Sequence, residues 1–209
     1  ASLRFAKYII NNLKFNDIIK GINVNEFLSN KRIAIDTKSI HGKFGIIKIK
    51  NILDKNGITN ADDSFNRLGI KELSNSTLIN PELKRYSNSI IYLTEKYVKD
   101  IQKNKEKKLK KFDFVILYNL KPKILIETNF YSTSGTKIGI NQKEYIDLKE
   151  DIERRSKDYT FLWITDGNYW LTKQGYSDLM NLYNYFGDQL LNYNLFEKKL
   201  PELFKRMKK

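Results

Sequence analysis

Two apolar segments joined by a short polar one constrain the fold of this 209-residue chain more than any other feature. Residues 112–118 read FDFVILY and residues 124–131 read ILIETNFY. Both segments are rich in β-branched and aromatic residues, which favour strands. The residues Asn119-Leu120-Lys121-Pro122 supply turn chemistry between them. The pattern therefore predicts an antiparallel β-hairpin from Phe112 to Tyr131.

Five other segments of the chain are predicted to be helical. Apolar residues recur at near-helical spacing in residues 3–29, 46–53, 141–156, 176–186 and 197–207. We expect Tyr145, Leu148 and Ile152 to form the buried face of the helix at 141–156. Gly57 is expected to end the helix at 46–53. Pro201 indicates either the first turn of the last helix or a break in it.

Shorter segments complete the expected fold. Ile33–Asp36 and Phe161–Thr165 predict two further strands, and residues 62–73 predict a short helix. Residues 37–45 and 132–139 are rich in glycine and small polar residues, which predicts loops. The order of elements predicts an α/β fold with a mixed central sheet flanked by helices.

The length of the chain suits one domain over residues 1–209. Within it we expect a helical N-terminal part at residues 1–32 and the core at residues 33–209.

The composition excludes several kinds of site. The chain has no cysteine and a single histidine, His41, so disulfides, thiolate zinc sites and multi-histidine metal sites are excluded. A metal would have to be held by oxygen ligands, which favours a hard cation such as Mg²⁺. Absence of cysteine fits a reducing cytoplasm. No apolar run is long enough to predict a membrane span.

The net charge of +14 indicates a polyanionic partner such as a nucleic acid. Of the 38 basic residues 31 are lysine, and asparagine, isoleucine and tyrosine are also abundant. The codon bias of an AT-rich genome would give the same excess, so charge alone leaves that alternative open. It also leaves open a basic RNA-binding protein.

Two acidic residues stand within the apolar segments of the predicted hairpin. Asp113 and Glu127 are flanked by large hydrophobic residues, where a charge is costly unless it is paired or bound to a metal. Paired strands can bring the two carboxylates together as a Mg²⁺ site. Asn129 lies two residues after Glu127 and therefore on the same face, and Lys137 can supply a cation from the following loop. The alternative is that both acids are solvated, as we expect for the lysine-rich residues 105–111.

The same region resembles the MboI/DpnII family of type II restriction endonucleases. Members carry, in this order, an Asp-containing strand, a Glu-x-Asn-Phe/Tyr-Tyr strand, a Gly-Ser-Lys loop and an Ile-Thr-Asp-Gly segment followed by tryptophan. The corresponding residues here are FDF at 112–114, ETNFY at 127–131, GTK at 135–137 and ITDG at 164–167 with Trp170. The resemblance is good over about residues 110–170 and looser from about residue 33 to the C-terminus.

The resemblance implies a nuclease fold of the PD-(D/E)xK type, double-stranded DNA as substrate and a GATC-type palindromic target. It also implies Mg²⁺ as cofactor, a homodimer, a cytoplasmic location and functional pairing with a DNA methyltransferase. Asp113 and Glu127 become the expected metal ligands, and Asn129 and Lys137 the other catalytic residues. The residues expected to contact DNA are Lys38, His41, Lys43, Ser132, Ser134, Thr136 and Lys137, although a lone histidine such as His41 is more often an incidental surface residue.

The sequence departs from the family pattern in two places. Ile138-Gly139-Ile140 stands where members usually have Leu-Asn-Glu, so one carboxylate is absent. Upstream, the segment from Lys38 to Gly45 differs from a family loop rich in arginine and asparagine. These departures keep open a non-catalytic DNA-binding module on the same fold. They also leave the recognition sequence, the sensitivity to methylation and the dimer geometry undetermined.

Overall fold

The fold was analysed in a computed structural model that describes residues 37–74, 80–103, 108–132, 134–155 and 158–208. The chain divides into two compact units, residues 1–37 and residues 38–209. Almost all of the first unit lies outside the described residues. The helix predicted at 3–29 and the strand predicted at Ile33–Asp36 therefore remain predictions. The division of one domain into a helical part at residues 1–32 and a core at residues 33–209 also remains a prediction.

A seven-stranded mixed sheet forms the centre of the second unit. Its strands are β1 (Thr59–Asn60), β2 (Glu72–Leu73), β3 (Ile90–Lys103), β4 (Lys108–Tyr118), β5 (Lys121–Phe130), β6 (Thr160–Asp166) and β7 (Leu190–Leu191). They follow the order β1-β3-β4-β5-β6-β7, and β2 also pairs with β3. The pairs β3–β4 and β4–β5 are antiparallel, whereas all other pairs are parallel.

The α-helices are α1 (Thr37–Lys55), α2 (Asp62–Arg67), α3 (Thr136–Arg155), α4 (Lys173–Phe186) and α5 (Tyr193–Met207). One large apolar cluster joins the sheet to α3 and α4, and Tyr145, Leu148 and Ile152 are buried in it as predicted. At the end of β5, Phe130 contacts Phe44 of α1, which in turn contacts the first residue of α5. The predicted α/β class with a mixed sheet flanked by helices is confirmed. Among the described residues, no helix combines the length and apolarity that crossing a bilayer requires.

Several local predictions are confirmed and others are wrong. The hairpin, the strand at 160–166 and the helices at 46–53, 141–156, 176–186 and 197–207 are present, with shifted bounds. The helix predicted at 62–73 ends at Arg67. Pro201 lies well inside α5, so it marks neither the first turn nor a break. The sequence patterns assigned no element to residues 89–102, most of which form the long strand β3.

The loop predicted at residues 37–45 is wrong, because these residues form the first half of α1. The glycine content that indicated a loop has another cause at Gly45. A Cβ atom at this position would lie 3.0 Å from Thr128 Oγ1 and 3.1 Å from the hydroxyl of Tyr193. Gly45 thus lets α1 approach β5 closely. The loop predicted at 132–139 is shorter than expected, since α3 begins at Thr136.

Candidate functional site

The backbone ladder between β4 and β5 is replaced by side-chain hydrogen bonds at the two acidic residues. Backbone pairing extends from the turn to Phe114 opposite Ile126, with a register shift between Ile116 and Leu117. Beyond that pair, the Thr128 amide donates to Asp113 Oδ2 over 2.8 Å, and the Asp113 amide donates to Glu127 Oε1 over 3.3 Å. Each strand therefore fixes the carboxylate of the other. The predicted proximity of Asp113 and Glu127 is confirmed.

The surroundings of Asp113 and Glu127 disfavour the negatively charged form of both carboxyl groups. Glu127 is 4% exposed, and burial, followed by the negative charge of Asp113, raises its pKa to about 7. Burial also raises the pKa of Asp113, although the Thr128 amide and Lys110 oppose the shift. A cation at this pair would relieve the cost of placing a buried and a half-buried carboxylate side by side.

A lysine, a tyrosine and a third carboxylate surround Glu127 on its inner side. Lys110 Nζ lies 3.0 Å from Glu127 Oε2 and 3.3 Å from Glu144 Oε1. The hydroxyl of Tyr145 donates to the same Oε2 over 3.0 Å. Burial lowers the pKa of Lys110, but the charges of Glu127 and Glu144 outweigh that effect and raise it overall.

The prediction that residues 105–111 form a solvated face is wrong for Lys110, which is 8% exposed. Strict alternation from Asp113 places Lys110 on the opposite face of β4. The structure interrupts that alternation, since Phe112 and Val115 share one buried cluster although they lie three positions apart. The sequence feature that could have indicated this burial is the apolar strand, which begins within the lysine run.

Asn129 lies on the same side of the sheet as Glu127, as predicted. Glu127 contacts Tyr145 and Asn129 contacts Trp163, and these two aromatic side chains pack against each other. The side-chain oxygen of Asn129 accepts a hydrogen bond from the indole nitrogen of Trp163 over 3.1 Å. Trp163 is fully buried and lies against Tyr145, with ring centroids 5.0 Å apart. This bond fixes the orientation of the Asn129 amide.

The other predicted site residues lie at the periphery. Ser134, Thr136 and Lys137 are exposed where β5 leads into α3, and Ser132 is half-buried. Lys137 is not hydrogen-bonded to Asp113 or Glu127 among the described contacts, so its catalytic role remains a prediction.

The upstream residues that are expected to contact DNA lie on a helix. Lys38, His41 and Lys43 lie on helix α1 rather than on a loop, and Lys43 is exposed. The side chains of Lys38 and His41 lie outside the described part of the chain, so contact with DNA remains a prediction for all three. Asp166, in the ITDG segment, accepts the amide of Gly167 over 2.8 Å, which is a contact typical of a turn residue.

Comparison with known sequences assigns the chain to a family. The model of the family described as DpnII restriction endonuclease matches residues 47–202, which is well over half of the chain and includes the whole carboxylate cluster. The chain belongs to the DpnII restriction endonuclease family. The resemblance inferred from the hairpin is thereby confirmed.

Relatives of the DpnII family with curated names match over shorter segments. The chain is 43% identical over 68 residues to the type II restriction enzyme MjaIII of Methanocaldococcus jannaschii, covering 32% of this chain and 23% of that protein. It is 36% identical over 83 residues to MboI of Moraxella bovis, covering 37% and 29%. It is 42% identical over 62 residues to DpnII of Streptococcus pneumoniae, covering 30% and 21%. Each match thus spans less than a third of the relative. No solved structure matches the chain significantly.

The departure from the DpnII family pattern after Lys137 falls at the surface. Ile138 is buried, but Ile140, at the position of the usual acid, is 60% exposed. Glu144 lies four residues further along α3, about one helical turn, and its carboxylate is in contact with Lys110. Absence of the acid at Ile140 therefore removes no carboxylate from the buried cluster.

The residues at the hairpin fit Mg²⁺. Asp113 and Glu127 offer hard oxygen ligands, and three carboxylates with the single ammonium of Lys110 give the cluster a formal charge of −2. Within the described residues, no group of three or more His, Asp or Glu side chains is placed to hold a metal. Two carboxylates are nevertheless sufficient, because Mg²⁺ in nuclease-type sites retains water and binds substrate phosphate.

Proposed function

We propose that this protein is a type II restriction endonuclease that hydrolyses double-stranded DNA at a short palindrome, of GATC type, on a PD-(D/E)xK-like fold. The observation that carries the proposal is the hydrogen-bonded pair of the buried Glu127 and the half-buried Asp113 on the hairpin, inside the segment that matches the DpnII family. Relatives that match part of the chain are named type II restriction enzymes.

Asp113 and Glu127 would hold Mg²⁺, which supplies positive charge to the phosphate and lowers the pKa of water. The protein fixes both carboxylates in advance through the amides of Thr128 and Asp113. Such fixed groups need little rearrangement when charge develops on the phosphate. In the proposed reaction, water attacks phosphorus and the 3′-oxygen leaves, which produces a 5′-phosphate and a 3′-hydroxyl.

Other residues are proposed to bind and orient the DNA. The amide group of Asn129, held by Trp163, orients water or a phosphate oxygen, but it cannot act as a general base. The exposed Lys137 binds phosphate from the start of α3, where the helix N-terminus also favours an anion. The excess of basic residues adds non-specific attraction to DNA.

A palindromic target is matched by a twofold-symmetric protein, so we propose a homodimer. Together with the family assignment, this leads us to propose a cytoplasmic partnership with a DNA methyltransferase that protects the same sequence. The proposed dimer, location and methyltransferase partnership are properties of the whole protein.

The test is incubation of purified protein with unmethylated plasmid DNA and Mg²⁺, followed by sequencing of the fragment ends. We expect discrete fragments from the wild type and none from Glu127→Ala. The matched control is Glu150→Ala, which removes an exposed carboxylate of α3 and should cut normally.

Intact DNA with the wild type, in Mg²⁺ and in Mn²⁺, would overturn the proposal. Retained sequence-selective binding of duplex DNA would then indicate a non-catalytic DNA-binding module. A preference for RNA over duplex DNA would instead indicate an RNA-binding protein.

A further inference from the structure

Lys110 is a buried cation in direct contact with one of the proposed metal ligands. Its side chain is 10% exposed, and its ammonium lies between Glu127 of the hairpin and Glu144 of α3. We propose that Lys110 is a positioning residue, anchored by Glu144, that holds Glu127 so that one defined carboxylate oxygen binds the metal. This inference rests on the proposed function, because it assigns the supporting residues of the same site.

The two oxygens of Glu127 have different environments. Oε2 is 3.0 Å from Lys110 Nζ and accepts the hydroxyl of Tyr145, also over 3.0 Å. Oε1 lies beside the Asp113 amide, at 3.3 Å, on the side of the second carboxylate. Two strong donors thus occupy Oε2 and direct Oε1 towards Asp113. Oε1 is the oxygen available to share a cation with Asp113.

Lys110 acts through Glu127 rather than by touching DNA. The residue is 8% exposed, and its ammonium lies over the Tyr145 ring, 5.5 Å from the ring centre. A phosphate of duplex DNA cannot reach an ammonium enclosed in this way. The exposed Lys111 of the same strand forms its ion pair with Glu95 instead.

Glu144 completes the arrangement from a different element of the fold. Its Oε1 is 3.3 Å from Lys110 Nζ, and its side chain is 16% exposed. The ammonium is therefore held between α3 and the hairpin, which restricts its movement. An outer partner of this kind is expected to influence metal affinity only through the group it orients.

The experiment is a calorimetric titration of the purified protein with MnCl₂ in the absence of DNA. The proteins compared are the wild type, Lys110→Met, Glu144→Gln and the double variant. The matched control is Lys149→Met, which removes a lysine with a similarly low side-chain exposure, 14%, that is ion-paired to Glu153 away from the cluster. Circular dichroism verifies folding of each variant.

We expect Lys110→Met to raise the Mn²⁺ dissociation constant about tenfold or more, as loss of a group that orients a ligand does. Glu144→Gln should weaken binding in the same direction but less. It should have no further effect in the Lys110→Met background, because the two residues act in series. The Lys149→Met control should bind like the wild type.

The sign of the effect distinguishes positioning from simple charge. If Lys110 only adds positive charge near the metal, its removal strengthens Mn²⁺ binding. Tighter or unchanged Mn²⁺ binding by folded Lys110→Met therefore overturns the inference. The proposed function is preserved in that case, because the wild type still binds Mn²⁺. If Lys110→Met does not fold, Glu144→Gln decides, and wild-type affinity in that variant overturns the inference. A wild type that neither binds Mn²⁺ nor cuts DNA overturns the proposed function and the inference together.

Discussion

The raised pKa of Glu127 has a measurable consequence for the stability of the metal-free protein. The ordinary pKa of the carboxyl is 4.5, and it is about 7 in the folded protein, where burial and Asp113 disfavour the charge. Between these values the folded state binds more protons than the unfolded state. The free energy of unfolding must therefore decrease as the pH rises through this range.

The magnitude follows from the two pKa values. One pKa unit corresponds to about 1.4 kcal/mol, so the full effect is roughly 3 kcal/mol. Integration of the proton linkage places about 2.5 kcal/mol of it between pH ~5 and pH ~8. Replacement of Glu127 by glutamine removes the titrating proton but retains an acceptor for Tyr145. The difference in stability between wild type and Glu127→Gln should therefore change by this amount across the range.

The assay is urea unfolding followed by tryptophan fluorescence, because Trp163 and Trp170 are both buried. Both proteins are measured in the same metal-free buffers, so that all other titrating groups contribute nearly equally and cancel in the difference. Relative to Glu127→Gln, the wild type should lose stability with rising pH. A difference that is constant within about 0.5 kcal/mol would refute the argument that Glu127 is held as a costly anion.

Three further substitutions test the framework around the site. Gly167→Ala should cost about 3 kcal/mol or more, because φ is 122° and a Cβ atom would lie 2.2 Å from the carbonyl oxygen of Tyr131. Gly139→Ala, with nothing within 4 Å of the added Cβ, should instead gain about 0.5–1 kcal/mol in thermal or urea unfolding, and equal effects would contradict the geometry. Tyr145→Phe should cost about 1–3 kcal/mol near neutral pH because Glu127 loses a buried donor, and an unchanged urea midpoint would contradict this.

The hairpin and the pairing of Asp113 with Glu127 were predictable because both depend on local features. Strand-forming residues and a polar turn determine the hairpin, and antiparallel pairing then brings the two acids together. The buried face of α3 was predictable for the same reason, since helical periodicity selects Tyr145.

The contributions of Lys110 and Glu144 were not predictable, because they depend on tertiary structure. An interruption of the alternation in β4 brings Lys110 to the side of Glu127, and packing of α3 on the sheet brings Glu144 to meet it. The first half of α1 was missed because glycine is normally unfavourable in helices. At Gly45 the close approach to Thr128 requires the absence of a side chain.

The cost of the carboxylate cluster is itself an argument for a cation. An apolar residue in place of Glu127 would remove the desolvation penalty, and buried ion pairs can often be replaced by apolar residues without loss of stability. Lys110 compensates Glu127 only in part, since the pKa of Glu127 remains raised in its presence. The anionic form of Glu127 next to Asp113 is thus not fully compensated. Binding of a divalent cation at Glu127 Oε1 would convert this destabilisation into affinity, while Lys110 on Oε2 keeps the carboxylate in place.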